Sequence, residues 1–193
     1  GVGGLVGTNY GSITNAYTTS KVTGGGNEVG GLVGYHRQGS ITNAYAKGNV
    51  NGTSGVGGLV GWIYDGTVTN VYATGNVSGT SGVGGLVGIL QYDGNYIYFA
   101  SITNAYATGN VSGTSVVGGL VGDNTDGIIT ASFWDTASSG PTTGVGAGTT
   151  TGVTGKTTAQ MQDPLLYTTA GWDTTIWAYG SGVAGYGIGL AYL

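Results

Sequence analysis

Cysteine is absent from the 193 residues, so no disulfide framework staples this chain together. That absence fits a secreted bacterial protein. Charge is scarce as well. Charged residues make up 6% of the chain, and four Lys and Arg stand against eight Asp and Glu, for a net charge of −4. Such a balance cannot neutralise a phosphate backbone, which argues against a nucleic-acid partner. It also supplies no basic patch for anionic lipid. Proline occurs only twice, and no G-X-Y period runs through the 44 glycines, so collagen is excluded. No apolar run approaches the roughly 18 residues of a membrane span. The sequence opens at Gly1 inside a repeat, without a leader, and reads as a mature chain or as a piece cut from a longer one.

Repetition fills the space these absences leave. Gly-Gly-Leu-Val-Gly begins at Gly3, Gly30, Gly57, Gly84 and Gly118, so three steps are 27 residues and the fourth is 34. A fixed period of this length marks a solenoid or repeat array. Within each repeat glycine is too frequent for helix, and Val, Ile, Thr and Tyr favour strand. The pieces read as three short strands with Gly, Asn and Ser at three corners. The expected fold is all-β: a parallel β-solenoid (β-helix) of about five rungs over residues 1–136. Residues 137–193 would form a separate capping tail. The extra residues of the fourth repeat should loop out over 89–99 without shifting the register, carrying Tyr92, Tyr96, Tyr98 and Phe99.

Four core columns follow from the register: Leu5/Leu32/Leu59/Leu86/Leu120, Ile13/Ile41/Val68/Ile102/Ile129, Val22/Val50/Val77/Val111 and Val2/Val29/Val56/Val83/Val117. Asn15, Asn43, Asn70 and Asn104 should form an amide ladder at a turn. Tyr17, Tyr45, Tyr72 and Tyr106, with Phe133 in the fifth repeat, read as a stacked and largely inward aromatic ladder. That requires the strand's in–out parity to flip after the Tyr, because Lys47 must face water. One rung buries too little to offset the ordering of 27 backbones, so stability belongs to the stack.

The repeat resembles the GLUG motif of large bacterial surface and secreted proteins. The resemblance rests on Gly-Gly-Leu-Val-Gly, a short spacer, and Gly-Ser-Ile-Thr-Asn-Ala-Tyr-Ala-Thr-Gly-Asn-Val-Ser-Gly, over about residues 1–136. "SFWDTASSG" (132–140), "GKTTAQMQ" (155–162) and "GWDTTIW" (171–177) are similar to the tail that follows such repeats in haemagglutinin-like adhesins. The resemblance implies an extracellular, adhesin-type setting.

In the tail, "SSGPTTGVGAGTTTGVTG" (138–155) reads as a flexible loop. Thr157 to Gln160 is a capping-box pattern that predicts one short helix, stopped by Pro164. Trp172, Ile176 and Trp177 read as a cap over the last rung's open edge, ahead of an aromatic binding site.

Chemistry is harder to find. His36 is alone in a variable spacer beside Arg37 and reads as surface. Asp65 and Asp93 each precede a Gly, but the insertion should displace Asp93, so a glycosidase dyad is set aside. "DNTDG" (123–127) lacks the spacing of a calcium loop and reads as a turn. "GSGVAG" (180–185) matches a dinucleotide fingerprint, but too few residues follow to complete the unit. Asn51, Asn76 and Asn110 stand in N-x-S/T patterns and read as turn residues. No catalytic, cofactor-binding or metal-binding residue is assigned, no cofactor is expected, and the chain is read as not an enzyme.

Three functions remain. The first is a structural or adhesive rod outside the cell, self-associating through open solenoid ends or continued by upstream repeats. The second is a ligand-binding face for surface glycans or ice on the column Thr14/Thr42/Thr69/Thr103/Thr130. A second column, Thr19/Thr74/Thr108, is interrupted by Lys47. The third and last is a polysaccharide-acting enzyme.

Overall fold

The computed structural model describes residues 1–94 and 99–179. Each rung has four strands rather than three, and like strands stack in parallel into four sheets. Sheet A stacks Val2–Gly3, Asn27–Gly30, Ser54–Gly57, Ser81–Gly84 and Ser115–Gly118. Sheet B stacks Val6–Asn9, Val33–Arg37, Val60–Tyr64, Val87–Gln91, Val121–Thr125 and Val145–Gly148. Sheet C stacks Ser12–Thr18, Ser40–Ala46, Thr67–Ala73 and Ser101–Ala107, then the pair Ile128–Thr130 and Ser132–Asp135, then Val153–Lys156. Sheet D stacks Val22–Thr23, Val50–Asn51, Val77–Ser78 and Val111–Ser112. The three strands read from the sequence, Gly-Leu-Val, Ser-Ile-Thr-Asn-Ala-Tyr and Asn-Val-Ser, fall in sheets B, C and D, and the strand it did not separate is that of sheet A, which runs directly into the Gly-Gly of the motif. The protein is an all-β parallel solenoid.

Register follows the 27-residue step. Val68 pairs with Ile41 and Ile102, and Tyr72 with Tyr45 and Tyr106. The long fourth repeat leaves the ladder at Gln91 and re-enters it at Ser101, opposite Thr67. The excess is looped out, as the constant coil circumference demands. Tyr92 and Phe99 stack at its base, with ring centroids 5.3 Å apart. Tyr96 and Tyr98 lie outside the described residues.

The Leu and Ile/Val columns are inward. Leu32, Leu59, Leu86 and Leu120 are fully buried, whereas Leu5 on the first rung is 52% exposed. The interior is divided in two. Leu, Ile and Ala pack in one cluster, while Val22, Val50, Val77 and Val111 pack with Val29, Val56 and Val83 in another. The division is made by the second Gly of Gly-Gly-Leu. A Cβ on Gly58 would lie 2.1 Å from Gly85 O and 2.9 Å from Ala73 Cβ. Only a residue without a side chain lets the backbone cross there.

The far end is closed from inside. The column Ala46, Ala73, Ala107 ends in Trp134, which is buried in the main core. Below it the segment read as a flexible Gly/Thr loop contributes Val145–Gly148 and Val153–Lys156, a partial sixth turn paired to sheets B and C. Two helices follow rather than one. Helix α1, Thr158–Met161, has the capping box expected of Thr157 and Gln160. Helix α2, Pro164–Thr169, begins where the sequence suggested a stop. Asp163 caps it, its side chain accepting from Leu165 N, and Pro164 occupies the first helical turn, where its missing N–H costs nothing.

Candidate functional site

The outer face of sheet C carries a column of aromatic and a column of amide side chains. Their origin is a single backbone irregularity repeated on every rung. Asn15, Asn43, Asn70 and Asn104 adopt φ of 53°, 54°, 54° and 53° in mid-strand. Asn enters this left-handed region more easily than other side chains. The twist reverses in–out parity at the Asn, before the Tyr rather than after it. Ile and the following Ala (or Val71) both point inward, and Tyr points out. The expected inward Tyr ladder is therefore an outward one, and Lys47 reaches water without a second flip. Its Nζ lies 5.2 Å from the Tyr45 ring centre.

Both ladders are continuous. Asn43 donates to Asn15, Asn70 to Asn43 and Asn104 to Asn70, with Nδ2 to Oδ1 distances of 3.2, 3.2 and 3.3 Å. Tyr17, Tyr45, Tyr72 and Tyr106 stack with centroid spacings of 5.1, 4.7 and 5.0 Å and nearly parallel planes. The tail lies along this ladder. Trp172, Trp177, Tyr167 and Met161 bury Tyr72, Tyr106 and Phe133 in a separate aromatic core. Trp172 Nε1 donates to Ala131 O at 2.9 Å, and Trp177 Nε1 to Asn70 Oδ1 at 3.4 Å. Closure of the last rung falls to Trp134 and the sixth turn, and the two tail tryptophans clamp the flank. Among the described residues the cover thins towards the first rung. Tyr45 is half-buried, Tyr17 is 62% exposed, and a groove of about 430 Å³ lies between them and Ile176.

The Thr column expected as a ligand face, Thr14/Thr42/Thr69/Thr103/Thr130, is in register on the same outer face. Ser12, Ser40, Thr67 and Ser101 form a second hydroxyl column beside it.

His36 is not a surface residue. It is buried in the inward column Asn9, His36, Ile63, Leu90, Asn124 of sheet B. Asn9 Nδ2 donates to its Nδ1 at 3.0 Å, while Nε2 makes no hydrogen bond of good geometry beneath Gly66. Burial lowers its pKa, opposed by backbone groups of Gly39, Thr67 and Asn9. The insertion does not displace Asp93 from Asp65. Asp93 N donates to Asp65 Oδ1 at 3.0 Å, and Tyr64 Oη to Asp93 Oδ2 at 3.4 Å. Burial pushes the Asp65 pKa up, with the Asp93 charge adding to it. Asp65 is closed to solvent, so the pair presents no carboxylate dyad to a substrate. In 123–127 Asn124 turns inward, accepting from Gly127 N and donating to Thr149 O. Among the described residues no three His, Asp or Glu converge on a possible metal position. Asn51, Asn76 and Asn110 are exposed on the sheet D side. The 180–185 motif lies outside the described residues.

Sequence reasoning missed His36, Trp134, Tyr167 and the outward turn of the ladder. The signal for the last was present, since a column of Asn within a strand is the pattern that tolerates positive φ.

Stacked in-register rungs with an amide ladder and an aromatic ladder on the outer face of one sheet define a repeat protein of the parallel β-solenoid class. The chain belongs to the GLUG motif family: the motif matches residues 1–23, 25–51, 52–78 and 79–112, more than half of the sequence. A stretch of 59 residues is 46% identical to halomucin of Haloquadratum walsbyi (strain DSM 16790 / HBSQ001), covering 28% of this chain and 1% of halomucin. The chain thus spans a very small share of that relative. No solved structure matches it.

Proposed function

We propose that this chain is a non-enzymatic, extracellular β-solenoid module that serves as a stiff spacer or adhesive segment at a cell surface. Residues 1–136 would act as the repeat rod and 137–193 as its clamp and cap. The observation that carries this reading is the unbroken register of five rungs, whose side chains serve packing and ladder formation rather than a reactive site. The GLUG repeats and the local likeness to a far longer protein support a module set within a larger assembly. Among the described residues no helix is long and apolar enough to cross a membrane. The edge of the first rung, beside Val2 and Leu5, is the pairing edge for another rung, supplied by preceding chain or by a second copy. Electron microscopy with sedimentation of the purified chain tests self-association. Fibres one solenoid wide support assembly, whereas a monomer at all concentrations removes it and leaves the spacer. Surface labelling of intact source cells tests location, and protection of the chain from the label would refute the extracellular reading.

A second reading, a glycan- or ice-binding face, is favoured by the paired hydroxyl columns of sheet C. Saturable binding to a polysaccharide, lost on Thr42→Asp/Thr69→Asp, would support it over the spacer.

A further inference from the structure

The joint between the first and second rungs is built around one buried imidazole. His36 lies fully buried in register between Asn9 of Val6–Asn9 and Ile63 of Val60–Tyr64. Corner glycines close on the ring. A Cβ on Gly66 would lie 2.7 Å from His36 Cδ2, and one on Gly39 would lie 3.1 Å from its Cε1. Its protonation state is set by Asn9. Gly11 N donates to Asn9 Oδ1 at 3.1 Å, and Asn9 Nδ2 donates to Gly11 O at 2.9 Å, so this turn fixes which end of the amide faces the ring. That end is Nδ2, which donates to His36 Nδ1 at 3.0 Å. The network assigns the neutral tautomer with its proton on Nε2, where no acceptor of good geometry meets it.

No charged group faces the ring. The Arg37 guanidinium lies over the Tyr64 ring, 5.2 Å from its centre, and Asp65 accepts from Asp93 N. Asn9, Ile63, Gly39, Gly66 and Thr67 face His36, and none of them ionises. A second proton, added at Nδ1, would point at the Asn9 Nδ2 donor. Relief requires Asn9 to turn, and turning it breaks both bonds to Gly11. The strained contact lies on the first-rung side of the ring. Ile63 and Leu90, the equivalent residues of the next two rungs, take no proton, and His36 is the chain's one histidine.

We propose that His36 makes this joint an acid-operated latch, in which protonation parts the first rung from the second while the later rungs stay paired. The latch is a property of these two rungs and does not depend on the spacer reading. Native-state hydrogen exchange, followed by NMR on the isotope-labelled full chain from pH 7.5 to 5, reads it. The Leu5 and Val6 amides bond to Leu32 O, and the Leu86 and Val87 amides bond to Leu120 O. The ring binds its proton more readily once it is exposed. Below about pH 6.5 the protection of Leu5 and Val6, corrected for intrinsic exchange, should therefore fall by up to about tenfold per pH unit. Leu86 and Val87 should keep theirs. In His36→Gln, the Leu5 and Val6 protection should no longer depend on pH, whatever its level. If that variant fails to fold, the nitrogen shifts of the native ring decide, and at pH 7.5 they should show Nδ1 bare and Nε2 protonated. A proton on Nδ1 would overturn the latch. So would protection at Leu5 and Val6 that ignores pH, equal losses at Leu86 and Val87, or a pH dependence that survives His36→Gln.

Discussion

Replacing Asn70 by alanine perturbs three interactions that meet at one residue. The first is conformational: φ is 54°, and an ordinary side chain there costs about 1–2 kcal/mol. The second is the ladder, where Asn70 donates to Asn43 and accepts from Asn104, each bond contributing about 0.5–1.5 kcal/mol. The third is Trp177, whose buried indole N–H would lose its acceptor at about 1–3 kcal/mol. Together Asn70→Ala should cost about 3–8 kcal/mol, a large share of a typical domain's stability. Asn70→Gly loses the same hydrogen bonds but fits the backbone, and should be milder by about 1 kcal/mol. Asn15→Ala, on an exposed rung with one ladder neighbour, should cost about 1.5–3.5 kcal/mol. Urea unfolding followed by tryptophan fluorescence gives all three values. If alanine is tolerated as well as glycine at position 70, the left-handed argument fails. If positions 15 and 70 cost the same, the second ladder bond and the indole bond at Asn70 contribute nothing.

Leu59→Asp should abolish folding or sharply lower Tm by circular dichroism, since Leu59 is fully buried at mid-rod, whereas Thr69→Asp on the outer face should be mild. His36 has a pKa lowered by burial, so the unfolded chain binds its proton first. Its contribution to stability is complete above about pH 6.5 and falls as pH drops towards the folded pKa, by at most about 1.4 kcal/mol per pH unit. Tm measured from pH 7.5 to 5 should show that decline, and His36→Leu should remove it. Deleting residues 93–99 restores the 27-residue step and should preserve the solenoid's circular dichroism, because Gln91 and Ser101 already stand in register with Tyr64 and Thr67.

The inward columns were legible because exact repetition turns sequence spacing directly into stacking. Leu32 through Leu120 needed no geometry beyond the period. Tyr17 through Tyr106 needed one more fact, the backbone sign at the preceding Asn, which alternation alone cannot supply. Val145–Gly148 and Val153–Lys156 were hidden because their sequence is weak as strand, and the exposed edge of the fifth rung imposes the conformation. Pro164 was ambiguous in principle, since the same residue ends one helix and opens the next. His36 was misread because its spacer looks like a loop, whereas register places it in the inward column with Ile63.

The hydrogen bonds between rungs run along the rod axis, and this gives the tail a mechanical meaning. Tension between the two ends peels rungs one at a time, each releasing 27 residues, or about 90 Å of contour. The bond from Trp177 to Asn70 spans 107 residues and ties the third rung to the tail. The first two rungs, of which the second meets the tail through the packing of Tyr45, should therefore yield at lower force than the rest, which should hold until the tryptophan clamp lets go. Under single-molecule stretching the chain would behave as a short extensible leader spliced to a locked segment. The position of the Asn70 seat sets the length that gives way before the lock engages.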